Sequence, residues 1–198
     1  MTDAAQRVAE RLGSAPEEPL IAGLFSTRWA VAGAAATTLL WRRDTATVLC
    51  LSGAVLNGLL SKVLKRVINE ARPAGARLRD PGMPSSHAQS LFFFAAYISV
   101  ALALAETGLP ALWAALIFSS AAAAAGWRVY SGLHSLQQVG VGALIGSLFG
   151  AAWRAIVQPQ VASAVATGPT AVAVLLVAAA LVVFGFERWL GAALKRRR

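Results

Sequence analysis

Six apolar runs dominate this chain, at about 24–41, 45–61, 88–106, 109–126, 136–157 and 170–190, with charges or Gly and Pro signals between most of them. A helix rises about 1.5 Å per residue and a bilayer's hydrocarbon core needs roughly 20 residues to cross, so each run is close to one membrane span. The composition agrees: 57% of the 198 residues are hydrophobic, only 14% are charged, and mean hydropathy is +0.61. The expected fold is all-α, an integral membrane bundle of about six transmembrane helices. The first run is the weakest, because Arg28 interrupts it and only Trp29 to Trp41 is free of charge, so it is read as tilted or partly re-entrant.

Three parts follow: an amphipathic N-terminal lead-in over 1–23, a membrane-embedded domain over 24–190 and a basic tail over 191–198. The lead-in carries several acidic residues, unlike a signal-peptide core or a transit peptide. Trp29, Trp41 and Trp189 sit at run ends, where they suit either interface anchoring or ordinary apolar packing. A net charge of +9 on a soluble chain would raise nucleic-acid binding. Here the basic residues lie between apolar runs, which points instead to charged loops at a membrane face and to an anionic ligand, with no nucleic acid expected. Cys50 is the single cysteine and has no partner for a disulfide or a metal site.

Both histidines of the chain fall in two basic connections, 62–87 and 127–135, joined by one helical hairpin. The two connections must therefore emerge on the same membrane face. Six spans would place that face with the N-terminus and the terminal Lys195–Arg198 cluster, opposite Arg42, Arg43 and Arg154.

In the first connection, Lys65 and Arg72 stand seven positions apart and are expected to project from one helix face until Pro73 ends the helix. Such a pair can clamp a phosphoryl group, the lysine as a point charge and the arginine as a planar fork; a basic helix end reaching for the interface fits the same residues. Next, Pro81, Gly82 and Pro84 shape a turn, after which Ser85, Ser86 and His87 begin a helix. Free N–H groups and serine hydroxyls there suit either phosphate binding or simple capping. In the second connection, Arg128 precedes His134 by six residues, and Gln138 follows it by four, one helical turn, close enough for the amide oxygen to meet an imidazole N–H.

Lys65-x6-Arg72-Pro73, Pro84-Ser85-Ser86-His87 and Arg128-x5-His134 together resemble the three-part signature of the type 2 phosphatidic acid phosphatase superfamily, over about residues 45–155. The runs DPGMPSSHAQS and HSLQQVGVGALIGS look most like the plastid lipid phosphate phosphatases of the gamma and epsilon type, and like dolichyl diphosphatases. The resemblance implies an active site at one membrane face, His134 as nucleophile forming a phosphohistidine, and His87 as the acid protonating the departing oxygen. Lys65, Arg72, Ser85, Ser86 and Arg128 would hold the phosphate, with no cofactor and no metal. Only Glu70 and Asp80 among the carboxylates lie in these segments, too few for a convincing two-metal site.

The implied reaction is hydrolysis of phosphatidate to diacylglycerol and phosphate. Dolichyl or another isoprenyl diphosphate is the alternative substrate. The partners are lipid phosphates and membrane lipids; the implied membrane is the plastid inner envelope, or else the endoplasmic reticulum.

Two departures from the commoner pattern stand out: Trp127 where a serine precedes the arginine, and Gln138 where an aspartate supports the nucleophile. An amide orients an imidazole but brings no charge, so an inactive relative remains a reading beside a working enzyme. A lipid transporter is a further one, since intramembrane cations often mark a substrate path. Small residues over Ala121 to Gly126 and Gly140 to Gly150 are expected to permit close helix approach.

Overall fold

The computed structural model describes residues 37, 38, 40–42, 44–76 and 80–165. Two compact units are distinguished, Met1–Arg42 and Arg43–Arg198. In the first, Thr37, Thr38 and Leu40–Arg42 are helical. The lead-in over 1–23, the rest of the first apolar run, Arg43, the last run and the basic tail lie outside the described residues, as do Trp29 and Trp189.

All regular structure in the described part of the second unit is helical: α1 (Thr45–Ile68), α2 (Ser86–Leu104), α3 (Pro110–Tyr130) and α4 (Leu136–Ala152), which continues through a π-helical turn (Trp153–Val157) into α5 (Gln158–Val165). Among the described residues, four helical stretches are long and apolar enough to span a bilayer, Thr45–Ile68, Ser86–Leu104, Pro110–Tyr130 and Leu136–Ser163. They correspond to the second through fifth expected runs. Side chains such as Leu112, Leu116, Leu144, Leu148 and Ile156 are exposed on this bundle, which is where a lipid-facing surface places its apolar residues.

Helix boundaries follow from local chemistry. Asp44 caps α1, its carboxylate accepting from the Thr47 N–H at 2.7 Å, while Lys65 and Arg66 occupy the last turn and complement the helix dipole. Pro110 opens α3, and Ser85 and Ser135 cap α2 and α4. The helix expected to carry both Lys65 and Arg72 stops short. It ends at Ile68, with Asn69 in the left-handed region, so Arg72 lies beyond the helix in an irregular segment. Asparagine tolerates that conformation, and the break comes four residues before Pro73, which is therefore not what terminates α1.

Packing centres on α2, against which α1, α3 and α4 all lie. The closest approach runs along Gly142, Gly146 and Gly150 of α4. A β-carbon on Gly142 would meet the Ser85 carbonyl oxygen at 2.6 Å, and on Gly146 and Gly150 it would collide with the Gln89 and Phe93 carbonyl oxygens. Of the small residues expected to permit close approach, this i, i+4, i+8 stripe and buried Ala121 and Ala125 do so; a β-carbon at Gly126 or Gly140 would meet nothing. Lipid provides no hydrophobic drive between helices, so backbone proximity and polar bonds must do the work.

Those bonds are present. The Gln89 amide donates to the Asn57 carbonyl at 3.0 Å and side-chain oxygen at 2.9 Å, and Ser61 and Ser86 hydroxyls meet at 2.8 Å, joining α1 to α2. Tyr97 donates to the Gln158 side-chain oxygen at 2.6 Å. The Trp153 indole, in the π turn, donates to the Leu49 carbonyl at 2.8 Å over Gly53, where a β-carbon would stand 2.5 Å from the indole nitrogen.

Gly146→Ala is expected to destabilise the bundle by about 1–3 kcal/mol through overpacking, read as a lower melting temperature in detergent. Gly58→Ala, where a β-carbon meets nothing within 4 Å, should leave it unchanged or raise it slightly.

Candidate active site

The α2–α3 hairpin brings the segment before α2 and the segment before α4 to one face, as the topology requires. Contacts between them are direct: the Arg72 Nη1 donates to the Leu133 carbonyl at 2.8 Å, and the Ser85 N–H to the Gln138 carbonyl at 2.9 Å. Because α2 and α4 both begin here, two helix N-termini, each the positive end of its dipole, face the same region.

Spacing in the third motif reflects how α3 ends. Gly132 adopts φ +69°, the Gly132 N–H bonds the Val129 carbonyl at 3.0 Å, and the Leu133 N–H bonds the Arg128 carbonyl at 3.1 Å. This is a Schellman C-cap. The Arg128 carbonyl also takes the His134 N–H at 3.2 Å, so a fixed number of residues separates the arginine from the histidine. His134 is then only 3% exposed, and Ser135 immediately caps α4.

Gln138 closes a capping box at that cap, its Oε1 accepting from the Ser135 N–H at 3.2 Å while its own N–H bonds the Ser135 hydroxyl. The same Oε1 faces His134 Nδ1 at 3.2 Å. On its other side the amide Nε2 donates to the Ala71 carbonyl at 2.8 Å and to Glu70 Oε1 at 2.9 Å. A backbone N–H can only donate and a carbonyl only accept, which fixes the amide orientation. Nδ1 must therefore carry the ring proton, leaving the lone pair on Nε2. Arg72 Nη1 lies 3.0 Å from that Nε2, consistent with the same tautomer.

Arg72 is held on its remaining sides. Its Nη2 donates to both Asp80 carboxylate oxygens at 2.9 and 3.0 Å and its Nε to the Asp80 carbonyl at 3.1 Å. Lys65 reaches the same carboxylate at 2.9 Å and the Pro81 carbonyl at 2.7 Å. Lys65 and Arg72 thus converge, though through a shared anion and a folded-back loop, not along one helix face. Partial burial pushes the Asp80 carboxyl up, but hydrogen bonds to Lys65 and Arg72 and their positive fields outweigh it and hold it below the usual carboxylate range. The His134 imidazole is pushed down to about 4, first by burial and then by the Arg72 cation; the Gln138 hydrogen bond opposes this and the Lys65 and Arg128 charges add to it.

Of the other expected residues, Ser85 is fully buried, its hydroxyl capping α2 at the Ala88 N–H and its backbone N–H engaged with Gln138, while the Ser86 hydroxyl is engaged with Ser61. His87 occupies the first turn of α2 and is exposed. The Arg128 Nε is buried with no hydrogen-bond partner, a donor left open beside the cluster. Among the described residues, no three His, Cys, Asp or Glu side chains gather as metal ligands.

Three contributors escaped sequence reasoning: Asp80, Glu70 and Gly82. An acid inside a cationic segment is a signal of ion pairing, which Asp80 fits, whereas Glu70 accepts from the neutral Gln138 amide. Gly82 looked like a turn former, but a β-carbon there would stand 2.5 Å from the Gln138 amide nitrogen, so it clears space for that side chain.

The PAP2 superfamily profile matches residues 45–162, which contain every one of these side chains. The chain is 38% identical over 129 residues to lipid phosphate phosphatase epsilon 1, chloroplastic, of Arabidopsis thaliana, covering 64% of this chain and 46% of that protein. Against the chloroplastic epsilon 2 protein of the same plant it is 36% identical over 157 residues, covering 78% and 55%. Dolichyldiphosphatase 1 of Dictyostelium discoideum is 33% identical over 137 residues, covering 65% and 60%. The chain thus spans about half the length of the plant proteins it matches. No solved structure matches it. With the profile covering four helices and all three motifs, this chain belongs to the PAP2 superfamily.

Proposed function

We propose that this chain is a membrane lipid phosphate phosphatase that works through a phosphohistidine on His134 without a metal. The observation that carries the reading is the state of His134: a buried neutral ring, Nδ1–H turned to Gln138 and the Nε2 lone pair beside the Arg72 guanidinium. A nucleophile needs a free electron pair, and a phosphoryl group needs cations around its oxygens.

In this reading a phosphoryl oxygen takes over the Arg72 Nη1 now spent on Nε2, and the open Arg128 Nε takes another. Lys65 adds its charge, and the N-terminus of α2 at Ser85 and Ser86 its dipole. The Nε2 lone pair forms the N–P bond while the P–O bond to the lipid breaks, and His87 gives its proton to the departing oxygen. Water then attacks the phosphohistidine, releasing phosphate. Both nearby carboxylates are engaged, Asp80 with Lys65 and Arg72 and Glu70 with Gln138, which supports charge stabilisation by the chain's own cations.

Phosphatidate is the proposed substrate and the plastid inner envelope the proposed membrane, both from the chloroplastic lipid phosphate phosphatase relatives. An isoprenyl diphosphate in the endoplasmic reticulum is the second reading, favoured by the dolichyldiphosphatase relative. Phosphate release by the purified protein from phosphatidate, lysophosphatidate and isoprenyl mono- and diphosphates, with chelator present, tests substrate and metal together. Turnover abolished by chelator would overturn the metal-free reading.

His134→Ala should abolish both turnover and trapping of labelled phosphate on the protein; retained turnover would remove His134 as nucleophile. His87→Ala should lose roughly 10²–10⁴-fold with a lipid substrate and regain part of that with a leaving group that needs no proton. Because the neutral ring attacks, its limb of kcat/KM, corrected for the substrate's own ionisation, should be intact as pH falls past 6.5 and lost on passing through about 4. A limb at 6.5 independent of substrate would contradict the buried, cation-flanked setting of His134.

A further inference from the structure

The Gln138 amide does not end the chain of bonds that starts at His134. Its oxygen accepts at the imidazole and its nitrogen donates to the Glu70 carboxylate, so two hydrogen bonds of 3.2 and 2.9 Å link the ring to a negative charge. Each joint is fixed independently. Ser135 N–H and the Ala71 carbonyl determine which way the amide points, and Gly82 leaves room for it. Glu70 is in turn anchored by its backbone, whose carbonyl accepts from the Gly82 N–H at 2.7 Å, just past the left-handed turn at Asn69.

We propose that Glu70 is a positioning residue that forms, with Gln138, a His134–Gln138–Glu70 relay and supplies through the amide the negative charge the amide lacks. The inference rests on the reading of His134 as nucleophile. When Nε2 shares its electron pair with phosphorus, the ring keeps its Nδ1 proton and becomes cationic, while the electrons of the broken P–O bond leave with the lipid oxygen. A carboxylate accepting from the amide nitrogen polarises the amide and makes its oxygen a stronger acceptor for that cation. No proton passes along the relay. Glu70 thereby answers the absence of an aspartate at position 138: the charge is present, one amide further from the ring.

Replacing a carboxylate in direct contact with a catalytic imidazole by an amide lowers turnover about 10⁴-fold in serine hydrolases, a loss that includes the wrong ring tautomer; here Gln138 Oε1 already fixes the tautomer, so the charge acting through the amide should be worth only about 10- to 100-fold. Glu70→Gln keeps the size and a hydrogen-bond acceptor and removes only the charge. The expected result is a kcat lower by about 10- to 100-fold, with KM within about threefold and an unchanged melting temperature. A purely structural tether predicts wild-type kcat in this variant, and that result would overturn the relay. Should Glu70→Gln not fold, Glu70→Ala carries the test: added formate should restore turnover where formamide does not, and equal or no effect of the two overturns the proposal. His134→Ala measured alongside separates the two levels. Turnover retained in His134→Ala removes the nucleophile reading and the relay with it; an inactive His134→Ala beside a fully active Glu70→Gln removes the relay alone.

Discussion

The close crossing of α2 and α4 carries the rest of this structure. Gly142, Gly146 and Gly150 let one helix lie against the carbonyls of the other, and the first of those contacts, at Ser85, is already at the site. Side chains on that stripe would push the two N-termini apart. The Ser85 N–H would then lose the Gln138 carbonyl, and the second motif would separate from the third. Bundle packing and site assembly are thus the same interaction seen at two depths in the membrane.

The site itself is built from pairs of opposite needs. Lys65 and Arg72 would repel one another if brought together alone, and Asp80 offsets this by bridging them. That bridge also fixes the guanidinium plane so that Nη1 meets His134. Burial and the Arg72 cation keep the imidazole neutral, which preserves its lone pair. Gln138 satisfies both the start of α4 and the Nδ1 proton with one oxygen, so the orientation of the His134 ring is tied to a helix cap.

Helical spans two to five could be read directly, because a continuous apolar stretch has few alternatives in a bilayer, where backbone groups must bond internally. The convergence of both histidine segments followed from counting spans between them. The contact between His134 and Gln138 was anticipated from i, i+4 helical spacing, but His134 precedes the Ser135 cap of α4, and the capping box rather than a shared helical turn brings the two side chains together. Lys65 and Arg72 were misplaced for the same reason: helical spacing was extended across Asn69, where the chain turns into the left-handed region and folds back. The serine hydroxyls, open to two uses in the sequence, are engaged in capping and interhelical bonding.

By itself, the sequence determined the all-helical membrane class, the common face of the motifs and the identity of the side chains gathered there, since these depend on hydropathy, span parity and residue chemistry. Tertiary structure alone decided which carboxylate meets which donor. Glu70 lies 68 positions from Gln138, and Asp80 joins two cations 15 and 8 positions away. Such pairings are set by how an irregular loop folds onto two helix ends, and no periodicity encodes them. Packing likewise separated Gly146, which a neighbouring carbonyl forces to be small, from Gly126, which nothing confines.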